Sequence, residues 1–203
     1  MYIRKLKKMK KRDIYTELAK RYDLRSRAYF KIKDIDNRYK IFKSGDYVID
    51  IGAAPGGWIK YIAKVIGFDG KVIGVDIKEI EPFNEPNVEV IIEDIFSEEI
   101  IKKLRSKLGE KKVDVIVSDA SPNITGVYEI DTQVIFDINK RILYICDKML
   151  KHGGSLVVKT FEGKHEHTLI RLLKKRFKIV RKYKPKISRK RSSETYYICF
   201  GFR

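Results

Sequence analysis

The sequence is poor in the residues that staple or metal-bind a fold. Its 203 residues include two cysteines and three histidines. Cys146 and Cys199 lie far apart in apolar segments, which suits buried thiols better than a disulfide framework. His165 and His167 sit in a polar stretch with no neighbouring cysteine and no third histidine, which argues against a metal site. No run of about 18 apolar residues exists, so no transmembrane helix is expected. The opening residues, MYIRKLKKMKKRD, lack the apolar stretch and small-residue cleavage site of a secretory signal. A cytoplasmic protein is expected, with no membrane partner and no protein partner implied. Internal repeats, low-complexity tracts and long linkers are missing too. With 43% hydrophobic residues the chain can bury a full core. One domain over residues 1–203 is expected, with 1–43 as a basic N-terminal extension and 44–203 as the core.

Acidic residues are scarce at both ends. Residues 1–43 hold 16 Lys/Arg against 5 Asp/Glu, and residues 171–203 hold 13 against 1. The flanks therefore carry +11 and +12 around a middle of −5, for a net charge of +18. A solvated basic surface is the simpler reading of any charge run. Two basic flanks around a mildly acidic body instead favour a polyanion gripped from both ends, and nucleic acid is the expected partner. Phosphate contacts of this kind supply affinity and salt sensitivity but no sequence information.

Apolar strand-like runs alternate with amphipathic helical ones through the middle. Strands are expected at 47–52, 71–77, 87–95, 113–119 and 155–161, and helices at 57–67, 98–108, 130–150 and about 166–176. Gly153-Gly154 reads as the stop of the fourth helix. Such alternation specifies an α/β fold, a mostly parallel sheet with helices on both faces. FKIVRKYKP (177–185) and TYYICFGF (195–202) read as a strand pair closing one sheet edge around the basic loop KISRKRSSE.

DIGAAPGGWIKYI (50–62) runs from the first strand into the first helix. In a doubly wound sheet this is where ligands bind, with glycine allowing close approach and helix N–H groups facing the ligand. The dinucleotide fingerprint G-x-G-x-x-G is absent, since Gly52 is followed by Gly56-Gly57. Asp76, 24 positions after Gly52, ends the second strand and suits a ribose diol, while Asp94, ending the third, suits an adenine amino group. Alone, each is more often a surface or capping residue; together they point to an adenosine ligand. Spacing alone leaves a nicotinamide dinucleotide and S-adenosylmethionine both open.

Five ordered segments narrow this further: SRAYFKI (26–32), DIGAAPGGW (50–58), SDASPNITG (118–126), VVKTF (157–161) and SRKRSSETYYI (188–198). Together they resemble the FtsJ/RrmJ family of S-adenosylmethionine-dependent RNA ribose 2′-O-methyltransferases. The resemblance implies a Rossmann-like methyltransferase fold of seven strands, the last antiparallel and inserted beside the fifth. It places the family's Lys-Asp-Lys-Glu tetrad on Lys31, Asp119, Lys159 and Glu194. Cofactor contacts fall on Gly56, Trp58, Asp76, Asp94 and Asp119, and the implied cofactor is S-adenosyl-L-methionine. The implied substrate is RNA, most specifically a uridine of large-subunit ribosomal RNA, free or within the large ribosomal subunit. A tRNA anticodon loop is the alternative substrate, and a non-catalytic ribosome-assembly factor the alternative of another class. Ser121 stands where many members carry alanine.

The chemistry asks for these residue types. A ribose hydroxyl is a weak nucleophile, so transfer needs an oriented hydroxyl, help with its proton and a positioned donor. Lys159 ends an apolar strand, where a lysine either snorkels out or takes that proton as a neutral amine. Lys31 is a neighbouring cation or simply solvated. Asp119 either orients Lys159 or caps the strand end. Glu194 is the lone acid among the last 33 residues, a charge-relief residue or a hydrogen-bond partner for lysine or ribose. Tyr29 and Phe30 suit core anchors of an N-terminal helix better than base-stacking platforms, and Trp58 either covers the cofactor or packs on the sheet.

Overall fold

The computed structural model describes residues 11–121, 125–188 and 193–203. Among the described residues, two helices, α1 (Lys11–Arg21) and α2 (Tyr29–Tyr39), precede the sheet. Then come β1 (Tyr47–Ile51), α3 (Gly57–Ile66), β2 (Lys71–Asp76), β3 (Val88–Ile92), α4 (Ile100–Leu108) and β4 (Val113–Ser118). The chain ends with α5 (Tyr128–Met149), β5 (Leu150–Phe161), α6 (Glu166–Arg176), β6 (Phe177–Tyr183) and β7 (Glu194–Phe202). The seven strands form one sheet in the order β3-β2-β1-β4-β5-β7-β6. The first five are parallel, and β7 runs antiparallel to both β5 and β6. This is the mostly parallel seven-stranded sheet anticipated above, with the last strand inserted beside β5.

Strand alternation decides what each face buries. From β1, Ile49 and Ile51 point to the face covered by α4, α5 and α6, where Leu104, Ile142 and Leu173 complete the core. Val48 points the other way, into a second core with Val72, Val117 and Val157 under α2 and α3. Those two helices bury Ile32, Ile35, Ile59, Ile62 and Ile66, the 3–4 spacing of amphipathic helices. Full burial of each contributes about 1.5–3 kcal/mol, so both helices are fastened over the same sheet face. A buried acid adds a tie between them. Asp36 accepts hydrogen bonds from the N–H groups of Ile41 and Phe42 and from the Tyr61 hydroxyl at 2.7 Å.

Two local expectations are corrected. The fourth expected helix ends at Met149, and Gly153-Gly154 lie inside β5 rather than stopping a helix. Leu150 is already extended and pairs with Val113, and a register shift between Val113 and Val115 absorbs the glycine pair, with Gly153 at φ +81°. β3 closes at Ile92, so Asp94 lies in the turn beyond the strand rather than on it. Among the described residues, no helix is long and apolar enough to cross a membrane.

Candidate active site

The carboxyl ends of β1, β2, β4 and β5 converge under α2 and α3, where the strand order reverses between β1 and β4. Open α/β sheets bind ligands at such a point. The alternation that sends Val48, Val117 and Val157 toward α2 and α3 sends Asp50, Asp119 and Lys159 the same way, two residues further on. Tyr196, on β7, stands directly opposite Lys159.

These groups form one network. Lys159, 4% exposed, lies 3.2 Å from Asp119 Oδ1 and donates to the Asp119 carbonyl at 2.5 Å. Lys31, 7% exposed on α2, lies 2.9 Å from Glu194 Oε1 and 3.4 Å from Asp119 Oδ2. All four residues of the expected tetrad are therefore together. At their centre is a residue sequence reading passed over, Tyr196, which is fully buried. Its hydroxyl accepts from Lys31 Nζ at 3.0 Å and donates to Asp119 Oδ1 at 2.6 Å, with Glu194 Oε1 at 3.4 Å. The Ser188 hydroxyl donates to Glu194 at 3.1 Å.

The electrostatics follow from this geometry. Burial pushes the Asp119 carboxyl up, but Lys159 and Lys31 nearby and the Tyr196 hydroxyl outweigh it and hold the group below the usual carboxylate range. Burial, with Asp119 and Glu194 beside it, drives the Tyr196 phenol well above its ordinary value, so it stays an O–H donor. Two cations and two anions share one largely buried cluster, and such pairing is what makes buried charge tolerable.

Next to the network lies an unsatisfied acid. Asp50 is 0% exposed, and neither carboxylate oxygen has a hydrogen-bond partner among the described residues. Burial first, then Asp119 and Asp76, raises its carboxyl far above the ordinary range. An unpartnered buried carboxyl between two other acids therefore stays a neutral acid on its own, and a cationic ligand beside it would favour its ionised form. Asp76 fastens the glycine-rich turn, accepting from the N–H of Ala54 and that of Lys78, each at 2.9 Å. A carboxylate has lone pairs beyond these two. Asp94 is exposed and accepts from the Phe96 N–H at 2.9 Å, a local turn bond. Ile77 and Phe96, beside the two acids, are 67% and 51% exposed, apolar surfaces with no core to bury them.

The glycine-rich turn owes its small residues partly to the protein itself. Gly52 has φ +75°, and a Cβ there would lie 2.5 Å from the Ala120 Cα. Gly56 has φ +106°, and a Cβ would meet Phe83 at 2.5 Å and Arg25 at 3.0 Å. Arg25 stacks on Phe83 at 3.6 Å and donates to the carbonyls of Glu81 and Pro82, locking the α1–α2 connection over the turn. Gly52→Ala is expected to cost about 1–3 kcal/mol from left-handed strain and overlap with backbone. Calorimetric unfolding checks this; an unchanged melting temperature contradicts it. Trp58 is 3% exposed, donates its indole N–H to the Ala28 carbonyl at 3.0 Å and packs 6.0 Å from the Tyr196 ring. Tyr29 is buried edge-on to Tyr61 and Phe30, the packing favoured above. His165 stacks on Phe136 at 4.9 Å.

The FtsJ-like methyltransferase family matches residues 24–202, which takes in every group just described. The chain belongs to this family. The ribosomal RNA large subunit methyltransferase E of Methanobrevibacter smithii is 41% identical over 194 residues, covering 96% of this chain and 92% of that protein. Its counterpart from Methanocaldococcus jannaschii is 42% identical, over 93% of this chain and 78% of its own length. A crystal structure from Plasmodium falciparum, described as a ribosomal RNA methyltransferase, aligns with TM-score 0.79 and 31% identity, over 88% of this chain and 98% of that one. Aeropyrum pernix fibrillarin shares the fold, with TM-score 0.54 and 16% identity over 77% of this chain and 67% of its own. The fold is thus Rossmann-like, and the protein is a methyltransferase.

Proposed function

We propose that the protein methylates a ribose 2′-hydroxyl of RNA with S-adenosylmethionine, at a uridine of large-subunit ribosomal RNA. The observation that carries this reading is the cluster of Lys31, Asp119, Lys159 and Glu194 beside the unpartnered Asp50. The relatives' activity on large-subunit ribosomal RNA and the basic flanks support the substrate class, and a cytoplasmic setting accords with it.

The donor supplies an electrophilic methyl on a positively charged sulfur, which calls for in-line attack by the hydroxyl oxygen. The acids suit the rest of that molecule. Asp119 favours its positive charge, which in turn would favour ionising Asp50, Asp76 accepts from its ribose diol, and Asp94 accepts from its adenine amino group. Ile77 and Phe96 offer apolar cover for a purine, whereas at Gly56 the space a side chain would fill is taken by Phe83 and Arg25, so that glycine serves the turn. Trp58 acts from beneath, steadying Tyr196 and the start of α3. Lys159 Nζ, once it has released its own proton to solvent, takes the 2′-hydroxyl proton as a neutral amine, Asp119 orients Lys159, and Lys31 with Glu194 positions the ribose.

Asp76→Ala is expected to weaken donor binding by roughly 10- to 100-fold, because charge-assisted bonds to the diol are lost with the carboxylate. Titration calorimetry reads this directly, and NAD should show negligible heat. Tighter binding of NAD than of S-adenosylmethionine would overturn the donor assignment. The substrate is tested by incubating the protein with labelled donor and either total RNA or large ribosomal subunits, then mapping the modified nucleotide. Label confined to tRNA would move the target to an anticodon loop. No label in any RNA would favour a binding factor without catalysis.

A further inference from the structure

Lys31 is not the only residue of α2 that reaches the last two strands. Three residues on, and so on nearly the same side of the helix, Asp34 accepts from the Tyr183 hydroxyl at 2.8 Å and from the Lys186 N–H at 2.9 Å. Tyr183 ends β6, and its direct cross-strand neighbour on β7 is Tyr196. Two successive contacts from one helix thus end on a pair of facing tyrosines. One is Lys31 to Tyr196 and Glu194, within the proposed transfer site; the other is Asp34 to Tyr183, behind it.

The second contact is built to hold its geometry. Burial and the Asp34 carboxylate push the Tyr183 hydroxyl up to about 12, so it remains a donor throughout the neutral range. Tyr39, also on α2, meets the Tyr183 ring edge-on at 5.4 Å, and the Arg38 guanidinium lies 5.3 Å from its centre. The Thr195 hydroxyl donates to the Tyr183 carbonyl at 3.3 Å, tying β6 to β7 one residue from both Glu194 and Tyr196. The Lys186 N–H extends the grip to the segment running toward Ser188, whose hydroxyl bonds Glu194.

We propose that Asp34 and Tyr183 are positioning residues, which set the height of α2 over β6 and β7 and thereby hold Lys31 between Asp119 and Glu194. This rests on the reading of those charged groups as the transfer site. Neither residue contacts a reacting atom. Burial of Ile32 and Ile35 holds α2 on the sheet, and lysine is too long and flexible for its salt bridges to set the helix's fine position over β6 and β7; the shorter, doubly bonded Asp34 sets that. A displacement near 1 Å at reacting groups can cost about 100-fold in rate, so partial loosening is expected to cost roughly tenfold.

Tyr183→Phe and Asp34→Ala should each lower kcat about tenfold, with the RNA KM and the calorimetric donor Kd unchanged within about twofold. The double variant should be no slower than Asp34→Ala alone, because Asp34→Ala already removes the contact that Tyr183→Phe removes. Asp34→Asn keeps an acceptor oxygen for both donors and should recover most of the rate. A simple packing role would lower the melting temperature without this split or this rescue. Unchanged kcat in Tyr183→Phe, a loss in Asp34→Asn as deep as in Asp34→Ala, or a rise in RNA KM alone would overturn the proposal. Lys31→Ala separates the two levels. If it is fully active, the transfer-site reading itself fails. If it is inactive while Asp34→Ala and Tyr183→Phe keep full kcat, only the positioning role fails.

Discussion

Replacing Lys159 with alanine is expected to slow methyl transfer by roughly 100- to 10,000-fold while RNA and donor still bind. The side chain leaves a buried strand at 4% exposure and meets two acceptors, Oδ1 and the carbonyl oxygen, both of Asp119. Asp119 in turn is held ionised by Lys159, Lys31 and Tyr196. Removing Lys159 therefore leaves Asp119 with one cation instead of two, and takes away the amine that accepts the proton once Lys159 has shed its own. Lys159→Arg discriminates between roles. A guanidinium keeps the charge but cannot lose a proton near neutral pH, so a base is not replaced by it. The expected result is a loss nearly as large as in the alanine variant. Recovery of most of the rate by arginine would make Lys159 an electrostatic clamp on the developing charge. Loss in both, with an ascending limb of the wild-type pH–rate profile missing from the variants, fits the base. Single-turnover rates at saturating donor, read with separate binding titrations, make the comparison.

RNA affinity should collapse with salt. The flanks carry +11 and +12, and the proposed transfer site lies between elements drawn from both. A duplex-like site with six to ten phosphate contacts would lose about 1,000- to 100,000-fold in affinity between 50 and 200 mM salt. Arg189, Lys190 and Arg191 are the densest basic run near the tetrad in sequence; they lie outside the described residues. The described residues that bracket them sit at the site. Ser188 donates to Glu194, and the Ser193 carbonyl accepts from the Glu162 N–H at 2.9 Å. Neutralising all three to glutamine should flatten the salt slope by about 2–3, with donor affinity unchanged. Fluorescence anisotropy across a salt series measures it. An unchanged slope would route the RNA elsewhere, and a parallel loss of donor binding would mean the substitutions disturb the fold.

Much of the architecture is readable because its causes are local. Alternating Val and Ile in β1, β2 and β4, with polar turns between them, need no distant partner to specify buried parallel strands. The tetrad is readable only through resemblance. Lys31 meets residues 88 and 165 positions away, and nothing in SRAYFKI distinguishes that lysine from its solvated neighbours. Tyr196 is hidden for a related reason: TYYICF reads as a strand of core aromatics, and only the sheet's register shows which hydroxyl reaches Asp119. Asp50 did leave a signal. A carboxylate inside the apolar run YVIDI is out of place in a buried strand, and that misfit falls next to the proposed transfer site. Gly153-Gly154 misled because a glycine pair after a helix also serves a strand that must shift register. Asp34 carries no local sign, since its partners belong to β6 and the segment after it.

The position of the transferred methyl tests the proposed chemistry most directly. RNA incubated with the protein and methyl-labelled S-adenosylmethionine is hydrolysed in alkali, and the labelled products are identified by mass spectrometry. Alkaline cleavage needs a free 2′-hydroxyl, so a ribose-methylated nucleotide survives within an alkali-resistant dinucleotide. The expected product is one such dinucleotide with 2′-O-methyluridine at its 5′ side, formed by the wild type and lost in Lys159→Ala. Label released as a base-methylated mononucleotide would contradict the assignment of Lys31, Asp119, Lys159 and Glu194 to ribose methylation.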